Sequence, residues 1–456
     1  MENVQKSINA GGRLERLPFS RLKYQIYIVL MIVYIAEALD LGVTGSTLPA
    51  VVKAFGVSAS AKGLYAIAST IGVVVGEVFA GAYQDVLGRK WPLVTGTAWG
   101  AAMSLVITFS PTYNLLVILR ALQGFGLGII FPVVAASIAE WSLGKTRGRG
   151  FAWMDIGLQI GYVLVPFVSL FILVPFPANI GWKNVYYFSC VVSTVGLIAL
   201  VFLPESVRWL ESRGKLEKAE KLMSGIEARV EKESGPLPPV TTQYVLSKQP
   251  RIPFSGFVQR RLVRQNIIIM AMGSADYSIY YLLQVYQPTW LIDAGLTYTL
   301  ALVFTTLTLL VTIGAKYLNG YLGDRIGRRR TILLYGVIGA IFLAVTGLGE
   351  AIAVVIVIGS LVSNFFIQGW APIMKGYATE QFHSSVRGSG FAGQEGVWRL
   401  IGGIFVPLIF APTLGTTLFT TYAIVLSIIV ILIVAMGTAL GKETAHISVE
   451  EIVSTN

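Results

Sequence analysis

Twelve runs of roughly 20 mostly apolar residues, parted by short polar segments, leave this 456-residue chain few ways to fold. They fall at about 24–51, 63–84, 91–109, 113–139, 150–174 and 184–203, then at 265–291, 297–321, 331–348, 351–374, 388–411 and 416–440. A helix of about 20 residues crosses about 30 Å of hydrocarbon, and in that layer backbone polar groups must be satisfied within the segment. Apolar residues make up 54% of the chain and charged ones only 13%, about half the charge of an ordinary soluble domain, so the solvent is lipid. The pattern predicts an all-α membrane protein with twelve transmembrane helices in two bundles of six, 24–203 and 265–440. The run from Tyr24 is too long for a signal-peptide core, which leaves 1–23 as an N-terminal segment outside the membrane. Residues 204–264 carry 12 basic and 7 acidic residues and the break Gly235-Pro236-Leu237-Pro238-Pro239, and they read as a linker with one or two surface helices. Residues 441–456 form a tail.

Net charge is +11, which on a soluble chain would speak for nucleic acid. Here the bases lie between the apolar runs. With both chain ends, the linker and the tail cytoplasmic, 28 of 35 Lys and Arg residues fall on that side, against Lys53, Lys62 and Lys183 on the other, as the positive-inside rule requires. A multi-pass protein of the plasma (cytoplasmic) membrane is expected, with the lipid bilayer and a small molecule as partners and no nucleic acid. A single cysteine, Cys190, excludes an internal disulfide. The two histidines, His383 and His446, lie outside the apolar runs and leave little for a metal site, and no glycine-rich nucleotide-binding loop is present. No cofactor and no enzymatic activity are expected, and energy has to come from a gradient.

One motif occurs twice. Gly81-Ala-Tyr-Gln-Asp85-Val-Leu-Gly88-Arg89-Lys90 follows the second run, and Gly320-Tyr-Leu-Gly-Asp324-Arg-Ile-Gly327-Arg328-Arg329 follows the eighth. Glycines permit a tight loop, and the Asp can cap a helix or pair with a nearby Arg. The two copies resemble the loop signature of the major facilitator superfamily, and the likeness covers essentially the whole chain. It implies two pseudo-symmetric six-helix bundles that rock about a central cavity, in a chain expected to act as a monomer. Arg120-x-x-x-Gly124-x-x-x-Gly128, Pro204-Glu205-Ser206-Val-Arg208-Trp209-Leu210, and Gly369-Trp-Ala-Pro372-Ile-x-x-x-Tyr377-x-x-Glu380 before Arg387-Gly388 resemble the sugar-porter branch. Its relatives include organic-ion, aromatic-acid/proton and phosphate/proton transporters. The resemblance makes Glu140 and Arg149 in the first half, and Glu380 and Arg387 in the second, gating partners of the two loops.

An ionised side chain at mid-membrane costs roughly 2.5–3.5 kcal/mol on insertion scales, so each needs a partner, a cavity or a proton. Glu37-Ala-Leu-Asp40 is similar to the acidic-x-x-Asp of proton-coupled relatives, and the resemblance supplies Arg120 as the partner of Asp40. A movable Arg120 would make Asp40 a proton switch; a static pair would only align helices. Sugar porters share a seventh-helix Gln-Gln-x-x-Gly-x-Asn-x-x-x-Tyr-Tyr. Aligned on Tyr280-Tyr281, this chain has Met270-Ala271 for the glutamines and Asp276 for the asparagine. The same comparison puts Asp155 in the place of a cavity glutamine, Lys375 in that of the tryptophan over the sugar, and Arg399 on the cavity wall. Charges for neutral amides suit a charged substrate better than a sugar. Phosphate also loses ground, because the Asp-Tyr-Pro of that branch reads Ile130-Phe131-Pro132 here.

Arg399 offers a fork for a carboxylate, or it serves a private bridge to Glu395 one turn earlier. Lys375 is a second anion partner, or it snorkels to the interface. Asp155 and Asp276 could bind a cationic group, carry protons or neutralise the bases. Trp153, Tyr280, Tyr281, Tyr286, Trp370 and Trp398 accompany these charges and could stack on a ring. Glu77, Lys316 and Glu350 are given no role. The reading that follows is a proton-coupled symporter of a small organic anion, an aromatic or heterocyclic carboxylate. Proton-coupled export of an organic cation stands second, then sugar or phosphate symport, with a non-transporting receptor as the minor alternative.

Overall fold

The computed structural model describes residues 8–18, 20–57, 59–141, 147–240, 260–349, 352–380, 387–413, 416–441 and 443. All their regular structure is helical. The first half runs α1 (Ala10–Glu15), α2 (Arg21–Phe55), α3 (Ala59–Leu87), α4 (Lys90–Ile107), α5 (Tyr113–Trp141), α6 (Arg147–Ile172) and α7 (Ala178–Ala199). The linker holds α8 (Val207–Ser212) and α9 (Leu216–Ser234). The second half runs α10 (Arg260–Asp293), α11 (Tyr298–Ile326), α12 (Arg328–Leu348), α13 (Ala353–Glu380), α14 (Arg387–Leu400), α15 (Val406–Phe410) and α16 (Thr417–Leu440).

Against the twelve expected spans, ten stretches among the described residues are long and apolar enough to cross a membrane, with α14 and α15 forming one of them. The helices α4 and α10 fall short. The first has only 18 residues and opens on Lys90-Trp91-Pro92. In the second, Asn266, Ser274, Asp276, Ser278 and Gln287 are buried, so its polar side chains face protein rather than lipid. Helix α7 begins at Ala178, six residues before the expected 184, and a short 3-10 turn, Leu200–Phe202, carries it to Pro204.

Small residues set how closely the helices pack. A Cβ on Gly72 or Gly76 of α3 would lie 1.9 or 2.1 Å from a carbonyl oxygen of α5, and one on Gly124 or Gly128 of α5 would meet α3 at 2.0 or 2.1 Å. Without side chains there the backbones touch, which is how helices associate where lipid supplies no hydrophobic drive. In the first half α2 packs on α6 and α7, and α4 on α5 and α7. In the second, α13 packs on α11 and α12, and α16 on α12 and α10. The halves meet along α2–α10, α6–α11 and α3 against α14–α15. At the end where α2 gives way to α3 they are closed: a Cβ on Gly45 would stand 2.5 Å from the Gln284 carbonyl, and the Tyr298 hydroxyl donates to the Ser46 carbonyl.

The eleventh run is broken. Beyond Arg399 a wide π turn, Ile401–Phe405, separates α14 from α15. Pro407 has no N–H for the carbonyl four residues back, and Gly402 lets α10 approach until a Cβ would be 2.5 Å from the backbone of Tyr277 and Ser278.

The repeated loops have matching anatomy. Gly88 and Gly327 take φ of +93° and +98°, the left-handed region a tight loop needs. A carboxylate then caps each following helix: Glu205 accepts from the Arg89 and Lys90 backbone N–H groups (2.8 and 3.4 Å), and Glu443 from those of Arg328 and Arg329 (2.8 and 3.1 Å). Arg89 pairs with Glu140 at 2.8 Å and more distantly with Asp85 at 3.9 Å. Gly81 does not serve the turn; it lies within α3 with open space where a Cβ would stand. Gly320 falls within α11. The side chains of Arg149, Asp324, Glu380 and Arg387 lie outside the described residues, as does Glu350.

The linker helix α9 buries Ala219, Met223, Ile226 and Val230 at helical spacing and turns its charges outward. Helix α1 docks beside it. Arg13 pairs with Glu220 and Glu227 at 2.6 Å each, Arg16 with Glu227 at 2.6 Å, and Glu211 accepts from the Ile8 and Ala10 N–H groups. Burial opposes ionisation of Glu227, but the hydrogen bonds from Arg13 and Arg16 outweigh it and hold this carboxyl below its ordinary range.

Candidate functional site

A cavity lies between the halves. The first half lines it with Glu37 and Leu41 of α2, Phe131 of α5, and Asp155, Leu158 and Tyr162 of α6. The second contributes Asp276, Tyr277, Tyr280 and Tyr281 of α10, Lys316 of α11, Gln368, Ala371 and Lys375 of α13, and Arg399 of α14. Five groups singled out in the sequence for substrate contact (Asp155, Asp276, Lys375, Arg399 and the Tyr280-Tyr281 pair) are thus together on one wall or its opposite. So is Glu37, which the sequence associates with Asp40.

Arg399 is the most connected of them. Its Nη1 donates to the Tyr281 hydroxyl at 3.0 Å and its Nη2 to Glu395 Oε1 at 3.4 Å, which the Tyr277 hydroxyl also reaches at 2.8 Å. Its guanidinium stands 5.1 Å from the Phe131 ring centroid and 5.9 Å from that of Tyr277. The bridge to Glu395 therefore exists, but it is not private: Arg399 Nε is 2.9 Å from Glu77 Oε1 of α3, in the opposite half. Lys375 makes a looser cross-half pair with Asp155 at 3.9 Å and lies 5.3 Å from the Phe131 centroid. Lys316 stands near Asp155, Lys375 and Asp276.

All three bases, Lys316, Lys375 and Arg399, come from the second half, whereas carboxyls come from both: Glu37, Asp155 and the adjoining Glu77 from the first, and Asp276 and Glu395 from the second. Some of these groups have no fixed partner. Among the described residues neither oxygen of buried Glu37 is hydrogen bonded, nor is Asp276 Oδ1. Polar groups held out of water without a partner call for an explanation, such as a bound water, ion or ligand.

Asp40 is elsewhere. It is fully buried inside the first half, off the cavity, and its carboxylate accepts from Ser104 at 2.8 Å, Gln123 at 2.9 Å, Ser193 at 3.0 Å, and Ser189. Arg120 does not fork this carboxylate. Its Nη2 donates to the Asp40 main-chain carbonyl at 2.7 Å and to Thr44 at 2.6 Å, while Nη1 donates to Gln123. Gln123 thus stands between the two charges, and its amide N–H and carbonyl serve one each. Gln123 and the three serines escaped the sequence reading, although polar residues in apolar helices are the signal to follow.

Of the six aromatic residues singled out in the sequence, Tyr280 and Tyr281 line the cavity, with Tyr277 and Tyr162 beside them. Trp370 and Trp398 do not: both are fully buried in packing, Trp398 against Gly273 and the Tyr277 ring, and Trp370 near Gly336. Trp153 is exposed, and Tyr286 is buried with its hydroxyl on the Pro407 carbonyl. Glu77 and Lys316, left without a role by the sequence, are an Arg399 partner and a cavity base.

The fold is similar to that of the xylose transporter XylE from E. coli in a partially occluded inward open conformation, with a TM-score of 0.76 at 19% identity over 93% of this chain and 99% of that one. In sequence the chain is 24% identical to a niacin transporter, NiaP, of Acinetobacter baylyi over 87% of this chain and 89% of that protein. It is 24% identical to a gallate transporter of Pseudomonas putida over 91% of each. The Major Facilitator Superfamily profile matches residues 30–407, most of the chain. Two helical halves around a charged cavity, a loop motif repeated in each, and that match lead to one conclusion: this chain belongs to the Major Facilitator Superfamily and is a multi-pass membrane transporter of small molecules.

Proposed function

We propose that the chain is a proton-coupled symporter of a small organic anion, an aromatic or heterocyclic carboxylate. It works by alternating access between halves 24–203 and 265–440, as a twelve-span monomer of the plasma membrane with both ends cytoplasmic. The observation that carries the reading is Arg399 at the cavity wall, its guanidinium flanked by Phe131, Tyr277 and Tyr281. A planar fork beside aromatic rings suits a ring-bearing carboxylate, which it can hold bidentately while the rings stack. Lys375 and Lys316 add positive potential on the same side. Relatives named as transporters of niacin and gallate, both aromatic acids, support the substrate class. Asp40, sealed in the first half, is the proton site of this reading, with Arg120 and Gln123 setting its surroundings. The repeated loops, with Glu140, Arg149, Glu380 and Arg387, act as gates.

A second reading is export of an organic cation by proton antiport, favoured by the carboxyls Glu37, Asp155 and Asp276 on the cavity wall. Tracer uptake into proteoliposomes under an imposed inward proton gradient separates the two. Accumulation of benzoate, nicotinate or gallate that collapses with a protonophore supports symport. Movement of a quaternary amine alone overturns it in favour of the cation, and uptake of a hexose would return the cavity to sugars.

A further inference from the structure

Arg399 is held by two carboxyls from different halves. Glu395 lies one turn away on the same helix, where the Tyr277 hydroxyl also anchors it. Glu77 comes from α3, across the boundary between the halves. That contact is short, 2.9 Å, but the Arg399 Nε–H is not aimed along it, and neither Nε nor Glu77 Oε1 completes a hydrogen bond. Glu77 is thus bound to Arg399 by charge, and Glu395 by charge and a hydroxyl. The groups that face Glu77 are Arg399 and Glu395 of α14, Lys375 of α13, Glu37 of α2 and Tyr281 of α10. On its other side α5 brings up Gly128 against the Glu77 backbone.

A substrate carboxylate that reaches Arg399 enters a crowded place. The side chains of Arg399, Glu395 and Glu77 are only 6%, 4% and 13% exposed. Three ionised carboxylates about one guanidinium, with little water to screen them, cannot all stay charged. The one that gives way is the one with the weaker hold.

We infer that Glu77 is the group that trades Arg399 for a proton when the substrate anion binds. This rests on the organic-anion reading above. The exchange balances: a Glu77 carboxylate paired with Arg399, plus one proton and one anion from solution, becomes a neutral Glu77 acid and an Arg399–substrate pair. Only an O–H bond forms, and the net charge of the site is unchanged. Because α3 and α14 belong to opposite halves, the same event unties them at this point. Loading the cavity and freeing the halves to rock are then one step. Glu77 becomes a proton position separate from Asp40, located where motion can act on it.

The test is equilibrium binding of benzoate, nicotinate and gallate to the purified full-length protein between pH 5.5 and 8. In the wild type, binding linked to one proton weakens about tenfold per pH unit above the titration midpoint. In Glu77→Gln, which is neutral at every pH, affinity should stay within about twofold of the wild-type acid value across the range. A Glu77→Gln protein that retains that slope overturns the inference and leaves the anion reading standing. A wild type that binds none of the acids at any pH overturns both. If Glu77→Gln does not yield a monodisperse protein, Glu77→Asp decides: a displaced pH midpoint supports the exchange, and an unmoved one overturns it.

Discussion

The molecule keeps two kinds of charge inside the membrane, and they differ in who their partners are. Among the described residues, every donor on the Asp40 carboxylate, and every contact of Arg120, comes from α2, α4, α5 or α7, all of the first half. Arg399 and Lys375 each have a carboxylate partner across the boundary, Glu77 and Asp155, although Arg399 also keeps Glu395 in its own half. A rigid turn of one half against the other leaves the first network whole and must stretch the second. The comparison teaches that an intramembrane charge senses alternating access only if its partner rides on the other half. A sealed one can store a proton, but it needs a relay to feel the motion.

The largest effect should come from the boundary. Arg399→Ala leaves Glu77 and Glu395 together without their guanidinium, and loss of one member of a buried charge pair costs about 2–5 kcal/mol. Affinity for benzoate-like acids should fall at least about 30-fold by equilibrium binding. Unchanged affinity would break the comparison, because Arg399 would then be a helix-to-helix bridge and nothing more. A split outcome is expected at the sealed site. Asp40→Asn should abolish accumulation driven by a proton gradient and leave tracer exchange within about threefold of wild type, an effect below the tenfold of 1.4 kcal/mol. An Asp40→Asn protein that still concentrates substrate under that gradient would hand coupling to the boundary alone.

The smallest effect belongs to the linker cluster, which is part-buried outside the membrane-spanning helices. Glu227→Gln removes the charge opposite Arg13 and Arg16 but keeps a hydrogen-bonding group of similar shape, so the loss should be about 1–2 kcal/mol. The wild-type carboxyl is held below its ordinary range, so its contribution is complete above the unfolded pKa of about 4.3 and fades as pH falls through the lower folded value. The thermal midpoints of wild type and Glu227→Gln should therefore differ by a few degrees at most at neutral pH and converge in acid. A gap that persists in acid would show that the cluster acts by packing.

Much of this was legible in the chain because membranes impose long periods. Apolar runs, the distribution of lysine and arginine, and a loop written twice are all one-dimensional signals, and they led to the right superfamily. Position-by-position comparison also brought Asp155, Asp276, Lys375 and Arg399 to a single cavity. What escaped is what depends on the register of one half against the other. Nothing local to Glu77 says that it meets Arg399 about 320 residues later. Likewise, helical spacing cannot tell whether Arg120 forks a carboxylate or a carbonyl oxygen. Trp370 and Trp398 misled for a simpler reason: a large ring beside a cavity residue is one helical face away from the cavity, and these two turn into the packing.

The caps on the repeated loops have a mechanical consequence. Glu205 lies beyond α7 and reaches back to the start of α4; Glu443, beyond α16, does the same for α12. In each half the chain past the last helix is thereby tied back to the middle of the bundle. A pull transmitted through the linker to the first half therefore reaches α4 as well as α7 rather than a loose helix end.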